Sequence, residues 1–147
     1  MSRFRLVLCL CLALVAPACG DDDSPTAPTI PPSLGIPFSQ TDMRVGTGAE
    51  ALNGRRVTVN YTGWLYSTTE PDNKGAQFDT SYDKSPFAFL LGGGSVIRGW
   101  DVGVVGMRVG GQRRLIIPPE LGYGVLGNGT IPGNATLLFE IELLNSQ

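Results

Sequence analysis

A carboxylate, Asp79, and a phenol, Tyr123, accompany six further aromatic side chains, Tyr61, Phe78, Phe87, Phe89, Trp100 and Phe139, spread over separate segments of the chain. Together they outline an aromatic cup with two polar groups at its rim, suited to a neutral, ring-shaped apolar ligand whose carbonyl can be hydrogen-bonded. Tyr123 stands in a glycine-rich loop, a poor place for a core residue, and Asp79 directly follows Phe78 in a segment otherwise turned to the apolar side. Seven aromatics in so small a domain could equally be core, and periodicity leaves both readings open. Composition removes other chemistries. The chain has no histidine, and its three cysteines, Cys9, Cys11 and Cys19, all precede residue 20. The chain beyond Cys19 offers no imidazole or thiol, which excludes cysteine proteases, Ser/His triads, thiol redox chemistry and most zinc sites.

The elements that must position this set converge on Val96-Ile97-Arg98-Gly99-Trp100. The run Gly92 to Gly94 and the capping-type Ser95 precede it, so a short helix is expected over Val96 to Val105, with Ile97, Trp100 and Val104 on one face. Such a helix depends on packing against a sheet, and Gly99, Gly103 and Gly106 permit close approach at a cost in helix propensity. Trp100 is then either core under the sheet or the floor of a pocket.

Strand signals surround the helix. Val57, Val59, Tyr61 and Leu65 alternate with Thr58, Asn60 and Thr62, the pattern of a half-buried antiparallel strand. Leu137, Phe139, Ile141 and Leu143 alternate with Glu140 and Glu142 in a last strand over Thr136 to Leu144. Gln77 to Thr80, Phe87 to Leu91 and Arg113 to Ile117 are further strands, and Met43 to Val45 is a short edge strand. Asn53-Gly54 marks a turn, and Ser67 to Gly75, with Pro71, a loop. The expected class is α+β: a twisted antiparallel sheet of about five strands wrapped around one short α-helix.

The N-terminus reads as an address. Arg3 and Arg5, an apolar run from Leu6 to Val15 and the small residues Ala16 and Ala18 before Cys19 form a secretory signal peptide over residues 1–18. Cys19 resembles the lipidation site of bacterial lipoproteins, with Ala16 where leucine is usual. Residues 19–37, rich in Pro and Asp, read as a tether that could hold a domain on the order of 50 Å from its anchor. The domain is residues 38–147, long enough for one core without disulfides. The formal net charge is -2, and removal of Arg3 and Arg5 leaves 9 basic against 13 acidic groups. No basic stripe faces nucleic acid, so none is expected as a partner.

Several segments carry a family. Val59-Asn-Tyr-Thr-Gly63, Phe78-Asp79, Pro86-Phe-Ala-Phe89, Val96-Ile-Arg-Gly-Trp-Asp101, Tyr123-Gly124, Ala135-Thr-Leu-Leu-Phe139 and Glu142-Leu-Leu144 resemble, in order and spacing, FKBP-type peptidyl-prolyl cis-trans isomerases over about residues 40 to 145. The resemblance implies a twisted antiparallel sheet wrapped on a short helix, with proline-containing chains and macrolides such as tacrolimus and rapamycin bound between them. It implies Trp100 as the platform beneath the prolyl ring and Tyr61, Phe87 and Phe139 as walls, with Val96 and Ile97 closing one side. Tyr123 and the Ile97 backbone N–H would bind ligand carbonyls, Phe78 and Ile131 would complete the cup, and Asp79 would be the pocket carboxylate. Tyr61, Asp79, Trp100, Tyr123 and Phe139 are thus the implied catalytic set, and Phe78, Phe87, Val96, Ile97 and Ile131 the substrate-binding set. Departures lie at the rim: Ser95 for a frequent glutamate, Lys84 for a frequent arginine, a shorter loop from Gly124 to Ile131, and an insertion between Leu65 and Phe78.

Rotation about an X–Pro bond faces a barrier of roughly 18–20 kcal/mol set by amide resonance, and no bond is made or cut. No nucleophile, metal or cofactor is therefore expected. The expectation is a monomeric isomerase of exported or cell-envelope polypeptides, anchored to a membrane through Cys19. The alternative is a proline-binding chaperone or adaptor that keeps the pocket without turnover.

Overall fold

The computed structural model describes residues 32–147. The expected signal peptide over 1–18, Cys19 and the expected tether up to residue 31 lie outside the described residues. The elements run β1 (Ser39–Arg44), β2 (Arg56–Tyr66), β3 (Lys74–Thr80), β4 (Phe87–Leu90), α1 (Arg98–Gly103), β5 (Gln112–Ile117) and β6 (Leu137–Ser146). The sheet has six strands where about five were expected. Five lie in the order β1-β5-β6-β2-β3, and β4 joins as a further partner of β2.

β2 is the axis of the sheet. Its alternating valines are fully buried on the helix side, and β6 lies along one flank from Val57 opposite Ser146 to Leu65 opposite Leu137. The other flank is shared: β4 pairs with Arg56 to Val59 and β3 with Thr62 to Tyr66, so two chain segments divide one strand edge. The division places Phe87 at the start of β4 beside Val59, close to where Phe78 and Asp79 arrive on β3. All pairings are antiparallel.

The core lies between the concave face of the sheet and α1. Leu115 and Ile117 of β5 and Leu137, Ile141 and Leu143 of β6 are completely buried, with Trp100 and Val104 packed on them from the helix side. A six-residue helix has almost no stability of its own, so contact with the sheet must hold it. Two glycines allow that contact: a Cβ on Gly99 would sit 2.5 Å from Ile117 Cγ2, and one on Gly103 2.6 Å from Leu115 Cδ1. Gly106, expected to share this duty, has open space around it and instead takes the left-handed conformation (φ 80°) just after the helix. The last carbonyls of the helical region are satisfied from β5. Arg113, only 6% exposed, donates to Gly103 O (2.9 Å) and Val105 O (3.0 Å), while Asp42 of β1 holds its guanidinium at 2.6 and 3.1 Å.

Three boundaries differ most from the sequence expectation: β3 starts at Lys74, within the stretch expected to be loop up to Gly75, and the helix and β1 are displaced. The helix begins at Arg98, with Ile97 as N-cap in an extended conformation (ψ 145°) and no side-chain cap, so Ser95 does not cap it. Ile97 is extended and Val96 sits in the bend before it, and both line a cavity. β1 starts at Ser39 and ends at Arg44, displaced from the Met43 to Val45 expected; it is exposed throughout, so no apolar alternation marks it. The loop around Pro71 contains a single 3-10 turn, Pro71–Asn73.

Candidate functional site

The fold brings the aromatic set together over the start of α1. Trp100 forms the base, 4% exposed, with Tyr61, Phe87 and Phe139 around it. The Trp100 ring centroid lies 4.9 Å from Tyr61, 5.3 Å from Phe139 and 6.1 Å from Phe87, with interplanar angles of 82°, 85° and 77°. Rings that stand nearly upright on the indole plane are walls to its floor, and such edge-to-face pairs each contribute about 0.5–1.5 kcal/mol beyond area burial. Phe78 stands edge-on to Phe139 (5.5 Å, 86°), and Phe89 continues the cluster beneath Phe87. Trp100 is therefore both core and floor.

The cavity enclosed is about 180 Å³, lined by Tyr61, Phe78, Asp79, Phe87, Ser95, Val96, Ile97, Trp100, Tyr123 and Phe139. Every lining residue but Ser95 belongs to the set carried over from the family resemblance. Ser95 enters because the bend that follows the Gly92 to Gly94 turn carries it to the mouth, in keeping with its place at the rim in the family resemblance. Ile131, expected to complete the cup, is not among the lining residues. It is 7% exposed within the core cluster, held there by a two-bond bridge in which Asn128 and Ile131 exchange N–H to carbonyl contacts of 2.9 Å. Cys19 lies outside the described residues.

One polar network crosses the rim. The Tyr61 hydroxyl donates to Asp79 Oδ2 at 2.5 Å, and Asp79 Oδ1 accepts from Lys84 Nζ at 3.0 Å and from the Thr80 N–H at 2.9 Å. Burial alone would raise the Asp79 pKa; the bonds from Tyr61, Lys84 and Thr80 outweigh it and hold the carboxyl below its ordinary 3.8. Tyr61 moves the other way, its phenol driven far above 10 by burial first and then by the hydrogen bond to, and charge of, Asp79. Burial, then the Asp79 charge, also raises Tyr123, against an opposing hydrogen bond with the Asn128 side chain. Lys84, noted near a position where arginine is frequent, pairs with Asp79 in the open, where an ion pair is worth little.

Two donors remain for a ligand. The Ile97 N–H has no acceptor among the described residues and stands beside the cavity its side chain lines. Tyr123 lines the same cavity from the loop that follows β5, and its hydroxyl is the second donor. Trp100 Nε1 is buried with no partner among the described residues. An apolar cup with upright walls, a neutral phenol and a free backbone donor can hold a ring, strip water from an amide and hydrogen-bond the carbonyls beside it. It presents no activated nucleophile.

Comparison with known proteins agrees with this geometry. Residues 48–144 match the family model described as FKBP-type peptidyl-prolyl cis-trans isomerase. The chain is 50% identical over 105 residues to a protein named FK506-binding protein from Neisseria meningitidis serogroup A, covering 70% of this chain and 90% of that one. Among solved structures it is similar to AtFKBP13 (TM-score 0.63, 39% identity, 75% of this chain and 93% of that one). FkpA from Escherichia coli has the same TM-score of 0.63 at 38% identity, with 75% of this chain and 48% of that one covered. With the family model matched over residues 48–144, which take in β2 to β5, α1 and all but the last two residues of β6, the chain belongs to the FKBP-type peptidyl-prolyl cis-trans isomerases.

Proposed function

We propose that the domain accelerates rotation about X–Pro bonds of exported or cell-envelope polypeptides by desolvating the amide and binding its twisted form. The observation that carries the reading is the upright ring wall on Trp100 with the free Ile97 N–H beside it. A planar amide carries charge separation between oxygen and nitrogen, and this diminishes as the bond twists. A water-poor aromatic cup therefore penalises the planar ground state more than the twisted transition state, while Ile97 and Tyr123 hold the flanking carbonyls. Asp79 keeps Tyr61 upright as a wall and takes no proton from the substrate. The same cup is suited to macrolides such as tacrolimus and rapamycin. Protease-coupled or magnetisation-transfer measurement of exchange in a short X–Pro peptide tests the reading: acceleration is expected, and none from a chain that still binds rapamycin would leave only a binding module.

The address is part of the proposal. Residues 1–18 direct export, Cys19 directly after the cleavage site carries the lipid, and the tether holds the domain off the membrane. The intact mass of the mature N-terminus is expected to carry the lipid; an unmodified Cys19 overturns the anchor.

A further inference from the structure

The cup has one side with no strand behind it. Val96, in a bend, and Ile97, extended, lie outside any strand or helix between the Gly92 to Gly94 turn and the first helical residue, and no side chain caps the helix to pin them there. Gly92 and Gly94 both take positive φ (74° and 67°), a backbone open to many conformations in the absence of a partner. That partner comes from the helix. Asp101 Oδ1 accepts the Gly92 N–H at 2.9 Å and Asp101 Oδ2 the Gly94 N–H at 3.0 Å, so one carboxylate spans the turn with both oxygens. Successive backbone N–H groups of this kind form a concave anion site, here filled by the chain's own side chain.

We propose that Asp101 is a positioning residue for isomerisation, its two-point clamp on Gly92 and Gly94 setting where Ser95, Val96 and Ile97 stand over Trp100. Asp101 follows Trp100 directly, so the residue that supplies the floor is covalently joined to the one that fixes the open side. The clamp transmits the helix position to the Ile97 N–H and keeps donor and floor in one frame. Asp101 itself does not line the cavity. Its effect on the reaction passes entirely through the turn.

The inference rests on the isomerase reading for its kinetic consequence but not for its structural one, and the experiment separates the two. In the mature full chain, Asp101→Ala, Asp101→Asn and Asp101→Glu are compared with the unaltered protein by amide exchange at Gly92 and Gly94, by Tm and by kcat/KM on an X–Pro peptide. Asp101→Ala is expected to free both amides and Asp101→Asn, with a single acceptor oxygen, only one. For Asp101→Ala kcat/KM should fall about tenfold to a hundredfold, the scale of a misplaced contact, with Tm moving less than about 5 °C. Asp101→Glu, with both oxygens, should recover most of the rate. Unchanged exchange in both Asp101→Ala and Asp101→Asn overturns the clamp, and freed amides with unchanged kcat/KM overturn the positioning role. A rate loss that only parallels the fall in Tm, with no recovery by Asp101→Glu, also overturns it. An unaltered chain that accelerates no X–Pro exchange fails the isomerase reading instead, leaving the amide data to decide the clamp.

Discussion

The Tyr61 hydroxyl and Asp79 Oδ2 meet at 2.5 Å, joining β2 to β3 at the rim of the cup and pushing their two titrations apart. Asp79 is depressed below 3.8, so what it contributes to stability is present above that value and is lost as pH falls through the lower folded pKa. Tyr61 and Tyr123 are raised above 10.0, so their contribution is complete below that value and is lost only as pH rises through the folded values. No histidine lies between. The pH profile of kcat/KM on an uncharged X–Pro peptide is therefore expected to be flat from about pH 5 to about pH 9. A bell or step centred near neutrality would show a titrating group in catalysis and contradict the pocket described.

Trp100 serves both core and floor, and the two roles respond differently to substitution. Trp100→Ala removes a 4% exposed ring and is expected to cost about 3–5 kcal/mol of stability together with nearly all rapamycin affinity. Trp100→Phe keeps a ring under the sheet and is expected to retain the fold while binding more weakly. Urea unfolding and calorimetric titration of both variants check the pair. Affinity unchanged in Trp100→Phe and Trp100→Ala alike would move the floor elsewhere.

Wherever one face of an element meets the core, its pattern is readable in the residue types: the alternation around Val57 and Val59 and around Leu137 to Leu143 marks β2 and β6 to within a few residues. The motif residues arrive at the cavity because each lies on such an element or beside one. Ser39 to Arg44 carries no alternation because both its faces are exposed, so residue pattern misplaces it along the chain. Ile97 looks helical because an apolar residue in the first turn and one lining a pocket have the same spacing from Trp100. Ile131 is turned inward by backbone bonds within its own loop, which side-chain pattern does not encode. Asp101 and Arg113 act on main-chain atoms of distant or glycine-rich segments, and nothing in a string of residue types marks a carbonyl or N–H as needing a partner.

The approach of α1 to β5 is set at Gly99 and can be displaced by one methyl group. Alanine there gains about 1 kcal/mol in helix propensity, but its Cβ would stand 2.5 Å from Ile117 Cγ2 in a fully buried side chain with no room to yield. Overpacking of this kind costs about 1–3 kcal/mol, so Gly99→Ala is expected to be net destabilising. Because Trp100 is the next residue, the displacement should also lower rapamycin affinity. Gly106→Ala, with open space around it, loses only the left-handed conformation and should leave affinity unchanged. Thermal melts and titrations of the two variants distinguish them; equal behaviour would show that the helix is free to shift.

Arg113 closes the opposite end of the helix and predicts stability without activity. Arg113→Met leaves Gly103 O and Val105 O without their donor, each worth about 1–3 kcal/mol when buried. The Asp42 carboxylate it abandons is 42% exposed and can be hydrated, which adds little. The expected loss is about 2–4 kcal/mol, seen as a lower urea midpoint at unchanged slope. Asp42→Ala is expected to cost less, because Arg113 keeps both carbonyls. Neither residue lines the cup, so kcat/KM measured well below the melting temperature should stay near that of the unaltered chain. A collapse of kcat/KM with an unmoved midpoint would mean that the C-terminal end of α1 communicates with the pocket, and that the helix position is fixed from that end rather than by Gly99 against Ile117.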